Sequence, residues 1–452
     1  MINYKSETLK FSVSGLRGLY PEDINPSNIP AIVLSWHKTL PKGPIAIARD
    51  SRPTGPAISR LAEGVLLSAG REIYDLGVVP TPTIKAFINK KNLAGGLMIS
   101  ASHNPMTYNA FKFIGKNGFF FNQAQNEIFK KNIDSKQKLN WGDMKTARQN
   151  IISAEKEAIE KHIESVLETT KLYQYFNSLK NIRVAIDPVG GCACNIVPIL
   201  LKTAGVQYFS VHGKIVPNFP RNPEPVPNAL KALGSLVVEK NCHIGFAFDP
   251  DADRLALVGP DGKPLGEEMT LPLSLLKALP ERNGDIVINL STSWYNNFVA
   301  ANYNKKTIRS AVGEANVVKK MVQKKAAFGG EGNGGVIDPK VPSFGRDSLT
   351  GVAYILSLLA EENNIYQITK TFPALKMKKL TLKADKKTLT NLSNKLIKNF
   401  KNFKINKEDG LHLSGKNGLP WIHLRPSNTE PIARLIVEAE TEKELNSILS
   451  DI

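Results

Sequence analysis

Residues 44–70, with the sequence PIAIARDSRPTGPAISRLAEGVLLSAG, contain the pattern that decides the fold class. The apolar run PIAIARD is typical of a buried strand, and the segment RPTGP that follows is typical of a turn. After the turn, apolar residues recur at the spacing of one helix face: Ile58, Leu61, Ala62, Val65, Leu66 and Ala69. We therefore predict a strand, a turn and an amphipathic helix that ends at Gly70.

The same alternation of strand and helix continues along most of the chain. It restarts at NIRVAIDPVGG (181–191) and a third time around DIVINLS (285–291), which predicts layered α/β domains with mostly parallel strands. The tail differs: MKKLTLKAD (377–385) predicts a strand, a helix follows, and a hairpin is predicted to turn at residues 416–418. We expect three similar α/β layered domains followed by a smaller α+β C-terminal domain: residues 1–148, 149–262, 263–372 and 373–452.

Composition excludes several classes of protein. The chain has 452 residues, 42% hydrophobic and 22% charged, which is ordinary for a folded soluble protein of several domains. Its longest apolar stretches, such as VAYILSLLA (352–360), are too short to span a bilayer, and its start lacks the apolar region of a secretory signal. The 3 cysteines form neither a CxxC motif nor a zinc-spaced cluster with histidine. We therefore expect a cytoplasmic protein without a disulfide scaffold, a zinc module or a membrane segment.

The net charge of +18, from 59 Lys and Arg against 41 Asp and Glu, favours anionic partners. The lysines are dense in the last third of the chain, but there they alternate with Leu, Phe and Asn, as on a solvated face. A polyanion-binding protein is therefore a remote alternative, which a steep salt dependence of DNA binding would support. We expect no nucleic-acid partner.

Two loops after predicted strands carry reactive side chains. In ISASHNP (99–105), Ser102 and His103 follow a strand, where open α/β sheets present ligand loops, although a capped turn is the structural alternative. In FAFDPDADR (246–254), the carboxylates at every second position can give three hard oxygen ligands to one Mg²⁺ or Ca²⁺: Asp249, Asp251 and Asp253. An EF-hand is excluded, because Arg254 and Pro260 stand where it needs Gly and Glu.

Two further loops carry groups that can bind hydroxyl groups or phosphates. In FGGEGNGGVIDP (328–339), Glu331 and Asn333 can hydrogen-bond hydroxyl groups, although glycine-rich loops are often only connectors. The segment RPSNTEPIAR (425–434) is either an ordinary turn or a phosphate site. Its candidate phosphate ligands are Arg425, Ser427, Asn428, Thr429 and Arg434.

With these four loops in order, the sequence resembles the α-D-phosphohexomutase family, which includes phosphoglucomutases, phosphomannomutases and phosphoglucosamine mutases. The matching motifs run in family order over nearly the whole chain: SGLRG (14–18), ASHNP (101–105), DPDADR (249–254), GEGNGG (330–335) and RPSNTEP (425–431). The resemblance implies four domains around one central cleft and an intramolecular phosphotransferase that interconverts hexose 1-phosphates and 6-phosphates. Its partners would be small-molecule hexose phosphates, and the enzyme would be a monomer or a homodimer with no membrane partner.

The resemblance also implies a cofactor set. Ser102 would be carried as a phosphoserine that exchanges its phosphoryl group with the sugar through a hexose 1,6-bisphosphate. One Mg²⁺ would be held by the Ser102 phosphate together with Asp249, Asp251 and Asp253, and Arg17 and Arg254 would lie near the same phosphate.

The remaining roles follow from the same resemblance. Glu331 and Asn333 would bind the sugar hydroxyls, and the last domain would hold the second phosphate through Arg425, Ser427, Asn428, Thr429 and Arg434. Many members carry His where this chain has Gly335, so another group must move the hydroxyl proton. The candidates are His103 and Lys112, and we expect nearby arginines to lower the pKa of Lys112. The sugar stays open, and a sugar-phosphate phosphatase is the alternative enzyme.

Overall fold

The computed structural model of the chain describes residues 6–12, 15–134, 150–383, 385–426, 432–450 and 452. They belong to two compact units. The first unit comprises Met1–Lys277 and Asn333–Ile365, and the second comprises Ala278–Gly332 and Tyr366–Ile452. In the described part of the chain, no helix combines the length and the apolar character that crossing a membrane requires.

The elements alternate along the chain in the predicted α/β manner. The strands are β1 Lys10–Ser12, β2 Gly15–Leu19, β3 Ile45–Arg49, β4 Ile73–Val78, β5 Gly95–Ile99, β6 Tyr108–Gly115, β7 Ile151–Ser153, β8 Arg183–Asp187, β9 Gln207–Ser210, β10 Ile244–Phe248, β11 Leu255–Val258, β12 Pro264–Gly266, β13 Ile286–Asn289, β14 Thr307–Ser310, β15 Phe328–Glu331, β16 Gly335–Ile337, β17 Lys376–Lys383, β18 Lys404–Asn406, β19 Leu411–Ser414, β20 Trp421–Pro426 and β21 Ile432–Ala439. The helices are α1 Ile29–His37, α2 Gly55–Ser68, α3 Thr81–Lys91, α4 Gln123–Asp134, α5 Glu155–Thr170, α6 Phe176–Leu179, α7 Ala193–Thr203, α8 Lys231–Glu239, α9 Thr270–Ala278, α10 Tyr295–Asn302, α11 Glu314–Lys324, α12 Ser348–Glu362, α13 Ile365–Thr369, α14 Lys386–Asn399 and α15 Glu442–Ser450.

The first sheet of the first unit has the strand order β1-β2-β6-β5-β3-β4-β7. Its strands β5, β3, β4 and β7 run parallel, whereas β6, β2 and β1 extend the sheet as antiparallel neighbours. The strand and helix predicted from residues 44–70 are confirmed as β3 and α2, and the apolar face of α2 is buried at Ile58, Ala62 and Leu66. A loop that follows β5 therefore leaves the sheet at the carboxyl edge of its parallel part.

The second sheet of this unit has the order β12-β11-β10-β8-β9, with β10, β8 and β9 parallel. Helix α5 packs against both α3 and α12, and its buried His162 joins them. The imidazole Nδ1 lies 2.8 Å from Thr83 Oγ1, and Nε2 lies 2.9 Å from Asp347 Oδ2. This fixes α3 and the start of α12, which both carry side chains that contact the loop after β10.

The second unit contains the parallel strands β14, β13 and β15 and a five-stranded sheet of order β17-β21-β20-β19-β18, whose neighbours are all antiparallel. The predicted hairpin is confirmed, with Ser414 opposite Trp421. Buried Glu438 joins these parts by accepting hydrogen bonds from the hydroxyl of Ser293, from Trp294 N at 2.7 Å and from Trp421 Nε1 at 2.6 Å. Burial raises the pKa of Glu438.

The fold class predicted from the sequence is confirmed, with layered α/β parts and a smaller α+β part at the C-terminus. The antiparallel strands β6, β2 and β1, which extend the first sheet on one side, are not predicted by the sequence pattern. Strand β6 is buried over most of its length and shows no alternation of apolar and polar residues, so its sequence lacks the usual signal of a strand with one solvated face. The boundary near 148 lies outside the described residues, and those near 262 and 373 stay predictions.

Candidate active site

Ser102 lies in the loop after β5, at the carboxyl edge of the first sheet. Its backbone has a φ of 50°, in the left-handed region that L-residues rarely adopt. Its N–H donates to Ser100 Oγ at 3.0 Å, and its own hydroxyl donates to Asp249 Oδ2 at 2.9 Å. The hydroxyl of the candidate nucleophile is thus directed at the candidate metal loop.

The three aspartates of the second loop meet at one place. Asp249 follows β10, and its Oδ1 accepts hydrogen bonds from the main-chain N–H groups of Asp253 and Arg254, each at 3.1 Å. Asp249, Asp251 and Asp253 are completely buried, and one carboxylate oxygen of each lies within 4.8 Å of the others. The predicted i, i+2, i+4 pattern therefore brings the carboxylates together on one turn of chain.

The donor set fits a small hard cation such as Mg²⁺. Burial raises the pKa of Asp249 well above its usual value, and the neighbouring charges of Asp253 and Asp251 raise it further. The Oδ1 atoms of Asp251 and Asp253 are buried without a hydrogen-bond partner among the described residues. Buried carboxylate oxygens are costly unless a proton, a hydrogen-bond donor or a metal ion compensates them. Oxygen atoms of this kind are the ligands that Mg²⁺ prefers.

Cationic side chains surround these carboxylates. Arg254 Nη1 pairs with Glu224 Oε1 at 2.8 Å, while its Nε lies 3.9 Å from both Asp249 and Asp253. Arg17 lies on β2 opposite Ala110 of β6. Together with Arg254, Arg17 supplies positive charge that acts on His103. The structure thus brings both predicted arginines to the neighbourhood of the Ser102 loop.

Lys112, on β6, lies beside the metal loop, but the expected direction of its pKa shift is wrong. Its Nζ is 2.5 Å from Asp251 Oδ2 and 3.9 Å from Asp253 Oδ2, and the hydroxyl of Thr81 also donates to Asp251. Burial alone would lower the pKa of Lys112, but the carboxylates of Asp251 and Asp253 raise it, and the net direction is upward. The sequence could not show that the lysine faces carboxylates more closely than arginines.

His103 behaves in the opposite way. Burial, followed by the positive charges of Arg254, Arg17 and Arg346, lowers its pKa well below the usual value. Its imidazole is therefore neutral at physiological pH. Of these two predicted candidates, His103 is therefore the uncharged one and Lys112 the protonated one at neutral pH.

Arg346 is a site residue that sequence reasoning missed. It precedes α12, and its Nη2 lies 2.6 Å from Asp253 Oδ2, while Ser348 Oγ donates to Ala252 O at 2.7 Å. A Cβ atom at Gly335 would lie 2.3 Å from Arg346 Cδ, so glycine at this position leaves the space that the arginine occupies. The only signal in the sequence is Gly335 itself. Many family members have histidine there, and the smaller glycine leaves space for another cationic side chain.

Glu331 ends β15 in the second unit and is buried. Its Oε1 accepts hydrogen bonds from Asn289 Nδ2 and from Gly313 N, both at 2.8 Å. Asn333 belongs to the first unit, where the next residue, Gly334, accepts a hydrogen bond from Leu255 N at 3.1 Å. The Glu331 carboxylate is thus fixed by two hydrogen-bond donors, whereas the Oδ1 atom of Asn333 is buried without a hydrogen-bond partner among the described residues.

The predicted phosphate loop is described only at its two ends. Arg425 of β20 and Arg434 of β21 are opposite each other in the sheet, and Arg425 Nη1 is 3.9 Å from Asp409 Oδ2. Burial lowers the pKa of Arg425, whereas the carboxylates of Asp409 and, more weakly, Glu331 raise it. Arg425 is therefore close enough to Glu331 for their charges to interact. The predicted ligands Ser427, Asn428 and Thr429 lie outside the described residues.

Comparison with known proteins gives the same assignment for every part of the chain. Four family models match in order, described as phosphoglucomutase/phosphomannomutase alpha/beta/alpha domains I, II and III and the C-terminal domain. They match residues 8–140, 160–262, 270–375 and 377–452. The chain therefore belongs to the phosphoglucomutase/phosphomannomutase family, and it is an enzyme of the intramolecular phosphotransferase class, an isomerase.

Individual relatives are similar over their whole length. A probable phosphoglucosamine mutase of Methanopyrus kandleri is 28% identical over 96% of this chain and 94% of its own. A phosphoglucomutase/phosphomannomutase of Thermococcus kodakarensis is also 28% identical, over 97% of this chain and 96% of its own. The crystal structure of a phosphoglucomutase/phosphomannomutase family protein from Burkholderia thailandensis shares the fold, with a TM-score of 0.82 at 21% identity over 100% of this chain and 96% of its own.

Proposed function

We propose that the chain is a Mg²⁺-dependent phosphohexomutase that interconverts hexose 1-phosphate and hexose 6-phosphate, with Ser102 as the phosphoryl carrier and a hexose 1,6-bisphosphate as the intermediate. The observation that carries the proposal is the contact of Ser102 Oγ with Asp249 at 2.9 Å, inside a cluster of three buried carboxylates. This contact sets a nucleophile beside a cation-binding group, which phosphoryl transfer requires.

The first half-reaction starts from phosphorylated Ser102. The bond between Ser102 Oγ and phosphorus breaks, and a bond forms between phosphorus and a free hydroxyl oxygen of the hexose monophosphate. Ser102 Oγ takes up a proton, and the sugar hydroxyl loses its proton. His103 is our candidate to accept that proton, because its imidazole is neutral. The protonated Lys112 donates to the metal loop as a fixed charge.

The second half-reaction restores the enzyme. Once the bisphosphate has turned over, Ser102 Oγ gives up its proton and forms a bond to the other phosphorus, and the bond from that phosphorus to the sugar oxygen breaks. The sugar oxygen takes up a proton, and the isomeric monophosphate leaves. Asp249, Asp251 and Asp253 would hold the Mg²⁺, which when bound offsets negative charge on the transferring group. Arg17 and Arg254 would add positive charge near the same phosphate.

Recognition of the sugar belongs to the other predicted ligands. A carboxylate held by two neutral donors, as Glu331 is, can accept hydrogen bonds from sugar hydroxyls. Arg425 and Arg434 stand at the ends of the loop that we assign to the second phosphate, together with Ser427, Asn428 and Thr429. Asn333 completes the set of proposed sugar ligands.

A coupled assay with a panel of 1-phosphates tests the proposal: glucose, mannose, glucosamine, N-acetylglucosamine and galactosamine. We expect conversion of at least one to its 6-phosphate without release of inorganic phosphate, and a fraction of the protein heavier by one phosphate. The relatives' names include both amino sugars and unsubstituted hexoses, which is why the panel spans both. Release of inorganic phosphate as the main product would favour the phosphatase alternative instead.

Substitution of the carrier completes the test. Ser102→Ala should lose activity on the order of 10⁴-fold or more, because no other group takes over a covalent step, and it should lose the added mass. Ser59→Ala is the matched control, because it removes a buried hydroxyl that donates a hydrogen bond to Glu63 Oε1, at 3.0 Å, within α2. An active, unphosphorylated Ser102→Ala enzyme would overturn the proposed mechanism.

A further inference from the structure

We propose that Arg52 is the positioning residue for the phosphoryl carrier, and that it fixes the backbone of the Ser102 loop from beneath without contacting the substrate. The inference rests on the proposed function in one respect, that Ser102 carries the phosphoryl group. It adds a role for a residue that contacts the backbone of Ser102 but not its reacting hydroxyl.

The guanidinium of Arg52 is completely buried, and the Phe219 ring covers it at 5.2 Å from the ring centroid. Its five N–H groups make five hydrogen bonds, which is all that a guanidinium can donate. The acceptors are one carboxylate oxygen and four main-chain carbonyls: Asp50 Oδ2 (3.0 Å from Nε), Pro105 (2.5 Å) and Tyr108 (3.0 Å) from Nη1, and Ser102 (2.7 Å) and Asn104 (2.8 Å) from Nη2. One side chain therefore binds four main-chain carbonyls between residues 102 and 108.

These contacts close a ring through the backbone of Ser102. Its carbonyl accepts from Arg52, and its N–H donates to Ser100 Oγ at 3.0 Å. Ser100 Oγ donates in turn to Asp50 Oδ2 at 2.7 Å, the same oxygen that accepts from Arg52 Nε. Both polar groups of the Ser102 peptide are thus fixed to the single pair formed by Asp50 and Arg52.

The ring explains how Ser102 keeps an unfavourable conformation. A φ of 50° is unfavourable for a serine and persists only when the surroundings over-determine it. In that conformation the hydroxyl points to Asp249 at 2.9 Å. A relaxed backbone would turn the hydroxyl away from the metal loop, so the positioning acts on catalysis rather than only on stability.

A second arginine–aspartate pair holds the backbone directly before the aspartate cluster of residues 249–253. Arg221 Nε donates to Asp187 Oδ2 at 2.8 Å, and its Nη2 donates to Phe248 O, also at 2.8 Å, directly before Asp249. Asp187 ends β8, which pairs with β10 in parallel as β3 pairs with β5. An arginine and an aspartate at a strand end thus hold each of the two reactive loops, although Arg221 is far from Asp187 in sequence.

The chain offers a matched control at the other edge of the same sheet. Arg71, before β4, is also buried and donates to main-chain carbonyls, of Pro41 and Gly43, each at 2.7 Å. Because β4 runs parallel to β3 and β5, Arg71 lies at the amino edge, opposite to Ser102. Lysine keeps the charge at either position but cannot make the forked set of hydrogen bonds.

The experiment compares Arg52→Lys with Arg71→Lys in the full-length enzyme, measuring kcat, KM, thermal unfolding and the rate at which phosphorylated Ser102 transfers its group in a single turnover. Arg52→Lys should lower kcat and the transfer rate by about 100-fold, the cost of a misplaced reacting atom, with KM within about threefold of wild type. Arg71→Lys should lower the unfolding temperature and leave kcat within about twofold.

Three results would overturn the inference. They are a normal kcat in Arg52→Lys, an equal fall of kcat in both variants, and an active Ser102→Ala enzyme. Only the third also overturns the proposed function, so the two failures are distinguishable. If Arg52→Lys does not fold, Ser100→Ala decides: a fall of kcat of about tenfold at unchanged KM supports the ring, and an unchanged kcat refutes it.

Discussion

The predicted site residues of the first unit and those of the second unit hold their charges in different ways. In the first unit, buried charges pair directly: Lys112 with Asp251 at 2.5 Å and Arg346 with Asp253 at 2.6 Å. In the second unit, Glu331 Oε1 accepts hydrogen bonds from two neutral donors, Asn289 Nδ2 and Gly313 N, and Arg425 Nη1 lies 3.9 Å from Asp409 Oδ2.

From this difference we expect the first-unit residues to act on the reaction and the second-unit residues to bind the substrate. Buried, fixed charges act most strongly where charge changes during a reaction, because the surrounding dielectric is low and the groups do not reorganise. A group that binds a non-reacting part of the substrate contributes equally to binding of the ground state and of the transition state. Substitutions in the first unit should therefore change mainly kcat, and those in the second unit mainly KM.

The largest effect after the carrier itself should come from the metal loop. Asp251→Asn removes one of three anionic ligands, so we expect kcat at ordinary Mg²⁺ to fall about 100-fold or more and to recover partly at high Mg²⁺. Calorimetric titration of the protein with Mg²⁺ should show the same loss of affinity without reference to activity.

Asp338→Asn is the matched control for this loop. Asp338 is equally buried, accepts from Tyr354 Oη at 2.6 Å and has no part in the aspartate cluster. It should leave the Mg²⁺ dependence unchanged. Wild-type activity that survives EDTA would refute the metal assignment altogether.

Lys112 gives the next largest effect and tests the reversal of its expected pKa shift. Because Asp251 and Asp253 raise the pKa of Lys112 above the usual lysine value of about 10.4, the side chain is protonated throughout the neutral pH range. A function that needs its charge is then constant across neutral pH. Lys112→Met should lower kcat about 100-fold, whereas Lys112→Arg, which keeps the charge, should lower it only about tenfold.

A pH profile of kcat decides between charge and proton transfer at this position. If Lys112 supplies only charge, both limbs of the profile between about pH 5 and 9 should be the same in wild type and in Lys112→Arg. Loss of one limb in Lys112→Arg would show that the lysine moves the proton, and His103 would then lose that role.

The sequence predicted the reactive loops well, because their residues are neighbours in the chain and follow recognisable strands. The i, i+2, i+4 aspartates and the serine after β5 needed only local geometry and the rule that ligand loops leave a parallel sheet at its carboxyl edge. The same reasoning could not find their partners. Lys112 and Asp251 are 139 positions apart, and Arg346 is 93 positions from Asp253.

The pKa and the orientation of a buried side chain depend on segments that are distant in the sequence. A local sequence pattern contains no information about these segments. Arg52 shows the same limit for a residue within a correctly predicted turn. The segment RPTGP (52–56) is predicted to be a turn, and it does connect β3 to α2. The sequence gives no sign, however, that the side chain of Arg52 holds a loop 50 positions later. Similarly, the sequence shows that Gly335 stands where many family members have histidine. Only the structure shows that Arg346 occupies the space beside this glycine.

Gly335→Ala is therefore a direct test of that replacement, with a smaller expected effect. The added Cβ would lie 2.3 Å from Arg346 Cδ, so the arginine must move away from Asp253. We expect kcat to fall about tenfold, the scale of one weakened charge contact in a reacting site. Gly64→Ala in α2 is the control, since nothing lies within 4 Å of its added Cβ. An unchanged kcat in Gly335→Ala would remove Arg346 from the catalytic group.

The smallest effect, and the one that tests the other half of the comparison, is expected at Arg425. Arg425→Lys keeps the positive charge but loses the planar fork that binds a phosphate through two parallel hydrogen bonds. If that phosphate is bound equally in the ground state and in the transition state, KM should rise about fivefold to tenfold while kcat stays within about twofold. Steady-state kinetics over a range of hexose 1-phosphate concentrations would measure both constants. A fall in kcat as large as that of Lys112→Arg, at unchanged KM, would place Arg425 with the charges that act on the reaction itself, and the division between the two units would then be wrong.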